Sequence, residues 1–231
     1  MSVSPLLLSK SKEDCDIEEI QEELHEHFND IEDLITGVAM NHFHLVINGS
    51  PGMGKTEFTK DILKQFYEKK VLKKKAVFIS GTTSGIKLFS ALQKNKDQGQ
   101  ITVIDDTDKI LEDTECLDVL KGALDSQGDK ELSWEKYSTA LKKEDLKDGF
   151  IYKGRLIIIT NKKIPMIQDD SPTNSRLKVD PVMSRVQYCR AGLPNNEFKV
   201  MAIRMFQEGY DKKNSHSFKR YQLRCFKEAK V

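Results

Sequence analysis

The chain has 231 residues, with 37 Lys and Arg against 36 Asp and Glu, a net charge of +1, and 38% hydrophobic and 32% charged residues. This composition describes a charge-rich globular domain, alone or with a small appendage, long enough to bury a core, and its near-neutral charge excludes a uniformly basic nucleic-acid coat. The apolar runs fall far short of the roughly 18–20 residues that a membrane span needs, and residues 6–8 are too short for a signal-peptide core. The four cysteines (Cys15, Cys116, Cys189 and Cys225) show neither a CxxC nor metal-ligand spacing, so reduced thiols in a cytoplasm are expected.

Along the chain, residues 13–33 carry eleven acidic residues and no Lys or Arg. Within them Ile17, Ile20, Leu24, Phe28, Ile31, Leu34 and Ile35 recur at helical spacing, predicting an acidic amphipathic helix. Five short β-branched runs follow at 44–47, 76–80, 101–104, 156–160 and 186–189, separated by helical patterns. They predict an α/β fold with a five-stranded parallel sheet and helices on both faces. Residues 125–150 interrupt this rhythm with a polar stretch holding Trp134 and Tyr137. A helix is expected over 196–206. Residues 212–230 hold seven Lys and Arg against one Glu, with Phe218, Tyr221 and Phe226 interleaved. That end reads as a solvated polar tail or as a nucleic-acid contact. The expected organisation is an acidic helical segment over 1–40, a core over 41–206 and a basic tail over 207–231.

The strongest motif is Gly49-Ser50-Pro51-Gly52-Met53-Gly54-Lys55-Thr56, which matches G-x-x-x-x-G-K-[ST] at every fixed position, between an expected strand and an expected helix. Glycines let backbone N–H groups turn onto phosphate oxygens, and a helix N-terminus adds partial positive charge. Lys55 is then expected to reach the β- and γ-phosphates of a nucleoside triphosphate, and Thr56 to ligate Mg²⁺. The run 101–104 ends in Asp105 and Asp106, as Mg²⁺–triphosphate chemistry requires of a strand neighbouring the loop's own strand. Asp105 is assigned to the metal and Asp106 to the attacking water, with Asp108 in a structural or capping role. The run 156–160 ends in Asn161, expected to hold the water or the γ-phosphate from between the other two motifs.

In this order and spacing the three motifs resemble the AAA+ class of P-loop ATPases over roughly residues 41–206. The resemblance implies a Walker A in the glycine-rich motif, a Walker B at Val103-Ile104-Asp105-Asp106 and a sensor 1 ending at Asn161. It also implies an arginine finger at Arg185, in Asp180-Pro181-Val182-Met183-Ser184-Arg185, projecting into a neighbouring subunit's site. Arg176 and Arg190 are rivals for that role. An Asp-Asp pair in place of Asp-Glu is similar to superfamily 3 helicases of viruses and to short phage-encoded ATPases. The short stretch after residue 206 implies a truncated or absent lid, with no sensor-2 arginine to place.

The resemblance implies ATP and Mg²⁺ as cofactors, a homo-oligomer such as a hexameric ring, and the host cytoplasm if the chain is phage-encoded. The reading favoured is a helicase or translocase on single-stranded nucleic acid in DNA replication. Its alternatives are a helicase loader or remodelling ATPase, docking on a replication protein through the acidic N-terminus, and a nucleotide-binding scaffold. Residues 128–134 with Lys142, Lys143 and Lys147 stand where helicase-like members carry a pore hairpin. Lys142 and Lys143 would grip phosphates, and Trp134 would stack on a base, support the loop or simply pack. Lys94 and Lys96, expected on the same face, are a second candidate grip.

Overall fold

The computed structural model describes residues 17–49, 51, 54–81, 83–105, 108–125, 131–134, 146–161 and 181–191. In chain order these form helix α1 (Ile17–Ala39), strand β1 (Leu45–Asn48), α2 (Lys55–Glu68), β2 (Val77–Ser80), α3 (Gly85–Lys94) and β3 (Ile101–Asp105). A 3-10 turn (Asp108–Leu111), α4 (Thr114–Ala123), β4 (Glu131–Ser133), β5 (Gly149–Ile151), β6 (Arg155–Thr160) and β7 (Gln187–Arg190) follow. The expected helix over 196–206, the basic tail and the lid question lie outside the described residues.

The five β-branched runs are the five strands of one sheet, in the order β2-β3-β6-β1-β7, with every pairing parallel. One expectation is corrected. The strand ending in Asp105 is not the neighbour of β1, because β6 lies between them. The three central strands are buried on both faces, which is why they read as nearly unbroken apolar runs.

Strand alternation divides the core into two layers. Leu45 and Ile47 of β1, Ile101 and Val103 of β3, and Ile157 and Ile159 of β6 pack with α1 and α2. Val46, Ile104, Leu156 and Ile158 point the other way, onto α3 and α4. Helix α2 supplies Thr59, Ile62, Leu63 and Phe66 from one face, the i, i+3, i+4, i+7 spacing of a helix lying on a sheet. The acidic helix is present as α1, and Phe28, Ile31, Ile35 and Val38 bury its apolar side in the same layer. Helix α4 is capped by Asp113, whose Oδ1 accepts the Cys116 amide at 2.8 Å. Asp108, expected in a structural or capping role, begins the 3-10 turn.

The interrupting segment contributes an antiparallel pair, β4 with β5. Leu132 and Phe150 are buried beneath it. Trp134 packs at 5.7 Å from Phe89, which also meets Phe150 edge-on at 5.0 Å. Of the roles left open for Trp134, the structure shows packing and support: its half-buried ring props the hairpin. Cys116 and Cys189 are free, and burial pushes their thiols up to about 12 and about 11. Among the described residues no helix is long and apolar enough to cross a membrane.

His44, just before β1, is 7% exposed, and its Nδ1 accepts the Leu156 amide at 3.1 Å. The neutral ring therefore carries its proton on Nε2. Burial first, and the Arg155 charge second, lower its pKa to about 3. An unfolded chain protonates this ring near pH 6.5, whereas the folded chain resists to about 3. Stability is thus complete above that window and declines as pH falls through it, with a slope approaching about 1.4 kcal/mol per pH unit. His44→Asn, which keeps an acceptor oxygen, is expected to flatten the decline between about pH 4 and 6. Urea midpoints across pH measure this, and parallel curves for the two proteins would discard the explanation.

Candidate functional site

The site lies where β1, β6 and β3 finish, the end at which open parallel sheets hold their ligands. Gly49 follows β1 directly, and its amide donates to Thr160 O at 3.3 Å. A Cβ on Gly49 would stand 2.2 Å from the Ala191 carbonyl oxygen, so only glycine lets the chain pass β7 this closely. Gly54 takes a left-handed φ of 79° and turns the chain into α2, its carbonyl accepting the Phe58 amide at 2.9 Å. Pro51 between them is exposed. Ser50, Gly52 and Met53 lie outside the described residues.

This turn delivers two side chains to the sheet. Lys55 is 7% exposed, and its Nζ donates to Gly49 O and to Asn161 Oδ1, each at 2.9 Å. Thr56 Oγ1 donates to Asp105 Oδ1 at 2.7 Å, and Asp105 is itself buried at 8% exposure. Four of the residues singled out in the sequence, from three strand ends, therefore meet in one place. Asp106 lies outside the described residues. Among the described residues no group of three or more His, Cys, Asp and Glu is placed to hold a metal. A hydroxyl and a carboxylate in contact nevertheless form the hard-oxygen pair that Mg²⁺ uses when phosphates complete its shell.

A supporting layer was not foreseen. Asn48 Nδ2 donates to Thr160 O at 3.4 Å, and Asn48 Oδ1 accepts from the Tyr188 hydroxyl at 3.2 Å. These contacts tie β6, β1 and β7 together directly beneath Gly49. Burial raises the Tyr188 pKa, keeping the hydroxyl protonated as a donor. The only sequence signal was a polar residue ending an apolar strand.

The other candidates stand elsewhere. Arg185 is exposed and donates through Nη1 to Pro181 O. It precedes β7, at the end of the sheet opposite Lys55, beside a cleft of about 540 Å³ shared with His42, Lys153 and Arg155. It is not part of its own chain's cluster. Its rival Arg190 ends β7, in register with Asn48 and exposed; Arg176 lies outside the described residues. Lys94 is exposed at the end of α3 and Lys96 is half-buried after it. The hairpin's return strand runs beside them, since the Gln93 side chain bonds the Lys147 carbonyl and amide at 2.8 and 3.1 Å. Lys142 and Lys143 lie outside the described residues.

Fold and site together define an α/β protein with a five-stranded parallel sheet flanked by helices, and a Lys, Thr, Asp and Asn cluster at its strand ends. No protein-family model matches the chain. It is 27% identical over 181 residues to an uncharacterized 36.7 kDa protein of the nrdC–mobD intergenic region of Enterobacteria phage T4. That match takes in 78% of this chain and 54% of the phage protein, so the chain spans about half the length of its relative.

Proposed function

We propose that the chain is an ATP-hydrolysing protein of the AAA+ type that works on single-stranded nucleic acid as an oligomeric helicase or translocase in phage-type replication. The observation that carries the nucleotide reading is the meeting of Lys55 with Asn161, and of Thr56 with Asp105, at the ends of three parallel strands. Lys55 holds two neutral oxygens at 2.9 Å, an arrangement from which its ammonium is set to turn to the β- and γ-phosphates. The partly buried Thr56–Asp105 pair suits Mg²⁺, which when bound neutralises charge building on the transferred phosphoryl group. Asn161, next to Lys55, orients the water, and Asp106 takes its proton. Arg185, remote from its own cluster, serves the site of a neighbouring copy. Likeness to a phage protein supports the phage setting.

The test is ATP hydrolysis by the purified chain with and without single-stranded DNA. Asp106→Asn is expected to keep Mg·ATP binding and to lose turnover by at least about 100-fold, the usual worth of a general base. Asp105→Asn should instead raise the Mg²⁺ concentration needed. Normal hydrolysis by both variants would end the assignment. Hydrolysis indifferent to DNA would move the reading to a loader or remodelling ATPase.

A further inference from the structure

The junction between α2 and β2 carries a strongly charged surface that the proposed ATP site does not use. Lys69, Lys70, Lys73, Lys74 and Lys75 are all exposed there. Their backbone is held in place. The Lys70 amide donates to Tyr67 O at 3.1 Å and the Val71 amide to Phe66 O at 2.8 Å, the two crossed bonds of a Schellman helix end. Leu72, 3% exposed, pins the segment to the core. Acidic relief is limited: Lys60 bonds Glu57 at 3.3 Å, while Lys74 faces Asp97 at 3.7 Å and Lys64 faces Glu68 at 3.9 Å with all four of these side chains well exposed, and exposed pairs contribute little.

Beside the lysines lies a groove of about 350 Å³, whose lining includes Lys60, Lys64, Tyr67, Lys75 and Phe78, with Glu68 as its one acidic residue. Lys75 sits 5.5 Å from the Tyr67 ring and Lys60 5.8 Å from the Phe78 ring. Cations spaced along a fixed edge suit successive phosphates, and an aromatic slot between them suits one unstacked base. Bases in a duplex cannot enter it. A further observation points the same way. Lys70 has a left-handed φ of 61°, a conformation that a helix end usually gives to glycine. The chain thus accepts backbone strain where a lysine stands at the centre of the cationic edge.

We propose that this surface binds single-stranded nucleic acid, with the lysines from Lys69 to Lys75 on the phosphates and a base in the Tyr67–Phe78 groove. The proposal needs no nucleotide and does not rest on the Lys55 cluster. It shares with the proposed function only the chemistry of the partner.

The experiment titrates the full chain, free of ATP, with labelled oligo-dT, oligo-rU and a duplex of equal length across a salt series. Each phosphate contact contributes about 0.7 to the log–log salt slope on single strands. The triple variant Lys69→Gln, Lys70→Gln and Lys73→Gln should therefore lower the slope by about 2, and affinity near 0.1 M salt by roughly 100-fold. Tyr67→Ala should weaken binding roughly 10-fold or more, and Tyr67→Phe should restore it. Lys70→Gly separates binding from folding: it should raise the unfolding midpoint by relieving strain, yet weaken binding about 5-fold. The two oligonucleotides decide between DNA and RNA. An unchanged salt slope in the triple variant overturns the proposal, even if that variant loses binding to vesicles of anionic lipid, which would assign the surface to a membrane. Duplex bound as tightly as single strands, with Tyr67→Ala silent, overturns it as well.

Discussion

Lys55→Ala is expected to weaken ATP binding by roughly 100-fold or more, because truncating one partner of a buried charged contact costs about 2–5 kcal/mol. The geometry makes this position decisive. Lys55 touches both the glycine-rich turn, through Gly49 O, and the residue that follows β6, through Asn161. Calorimetric titration with ATP measures the effect, and an affinity within about threefold of the parent would remove the glycine-rich turn from consideration. The same variant probes sharing between copies. Mixed with Arg185→Ala, it should recover hydrolysis that neither variant shows alone, since one copy supplies an intact cluster and the other an intact arginine. Without recovery, in a mixture that still assembles, Arg185 has no role in a neighbour's site.

Phe89→Ala is expected to destabilise the fold by about 3–5 kcal/mol. Phe89 is fully buried and meets Trp134 and Phe150, the residues that seat the β4–β5 hairpin on α3 and α4. The chain has a single tryptophan, so Trp134 emission reports this packing directly. The variant should shift that emission to longer wavelength and lower the urea midpoint together. A loss of stability with unchanged emission would mean that the hairpin is held by other contacts.

Element positions were largely legible in the sequence because they depend on local patterns. Short β-branched runs marked the five strands of the parallel sheet to within one or two residues, and apolar spacing marked α1. The order of strands was not legible, since nothing near Asp105 or Thr160 states that β6 enters between β1 and β3. Register is decided by how whole faces pack, over separations of more than a hundred residues. The cluster of Lys55, Thr56, Asp105 and Asn161 was legible because each residue begins, ends or follows an element whose type was already evident. Its support by Asn48 and Tyr188 was not, because a lone polar residue at a strand end has many uses. The role of Trp134 was left open between a base, loop support and simple packing, because composition alone does not show which ring will find a buried partner such as Phe89. The lysine edge over 69–75 passed unremarked because its charge is local and averages out in a chain of net charge +1.

The placement of β6 bears on how the protein is made. Lys55 and Asn161 are 106 positions apart, whereas Thr56 and Asp105 are 49 apart. A nascent chain that has emerged only through β3 already holds the glycine-rich turn and the Asp105 carboxylate. Its β1 and β3 cannot yet take their final places, because the strand that belongs between them has not been synthesised. At about 5–20 residues per second, the ribosome needs several more seconds to deliver β6. Through that interval two apolar strand edges await the same partner, and long-range pairing of this kind is slow and prone to aggregation. Ribosome-bound fragments ending before residue 155 should therefore be protease-sensitive and hold no ATP, and those extended past β7 should become protease-resistant and bind ATP in a single step.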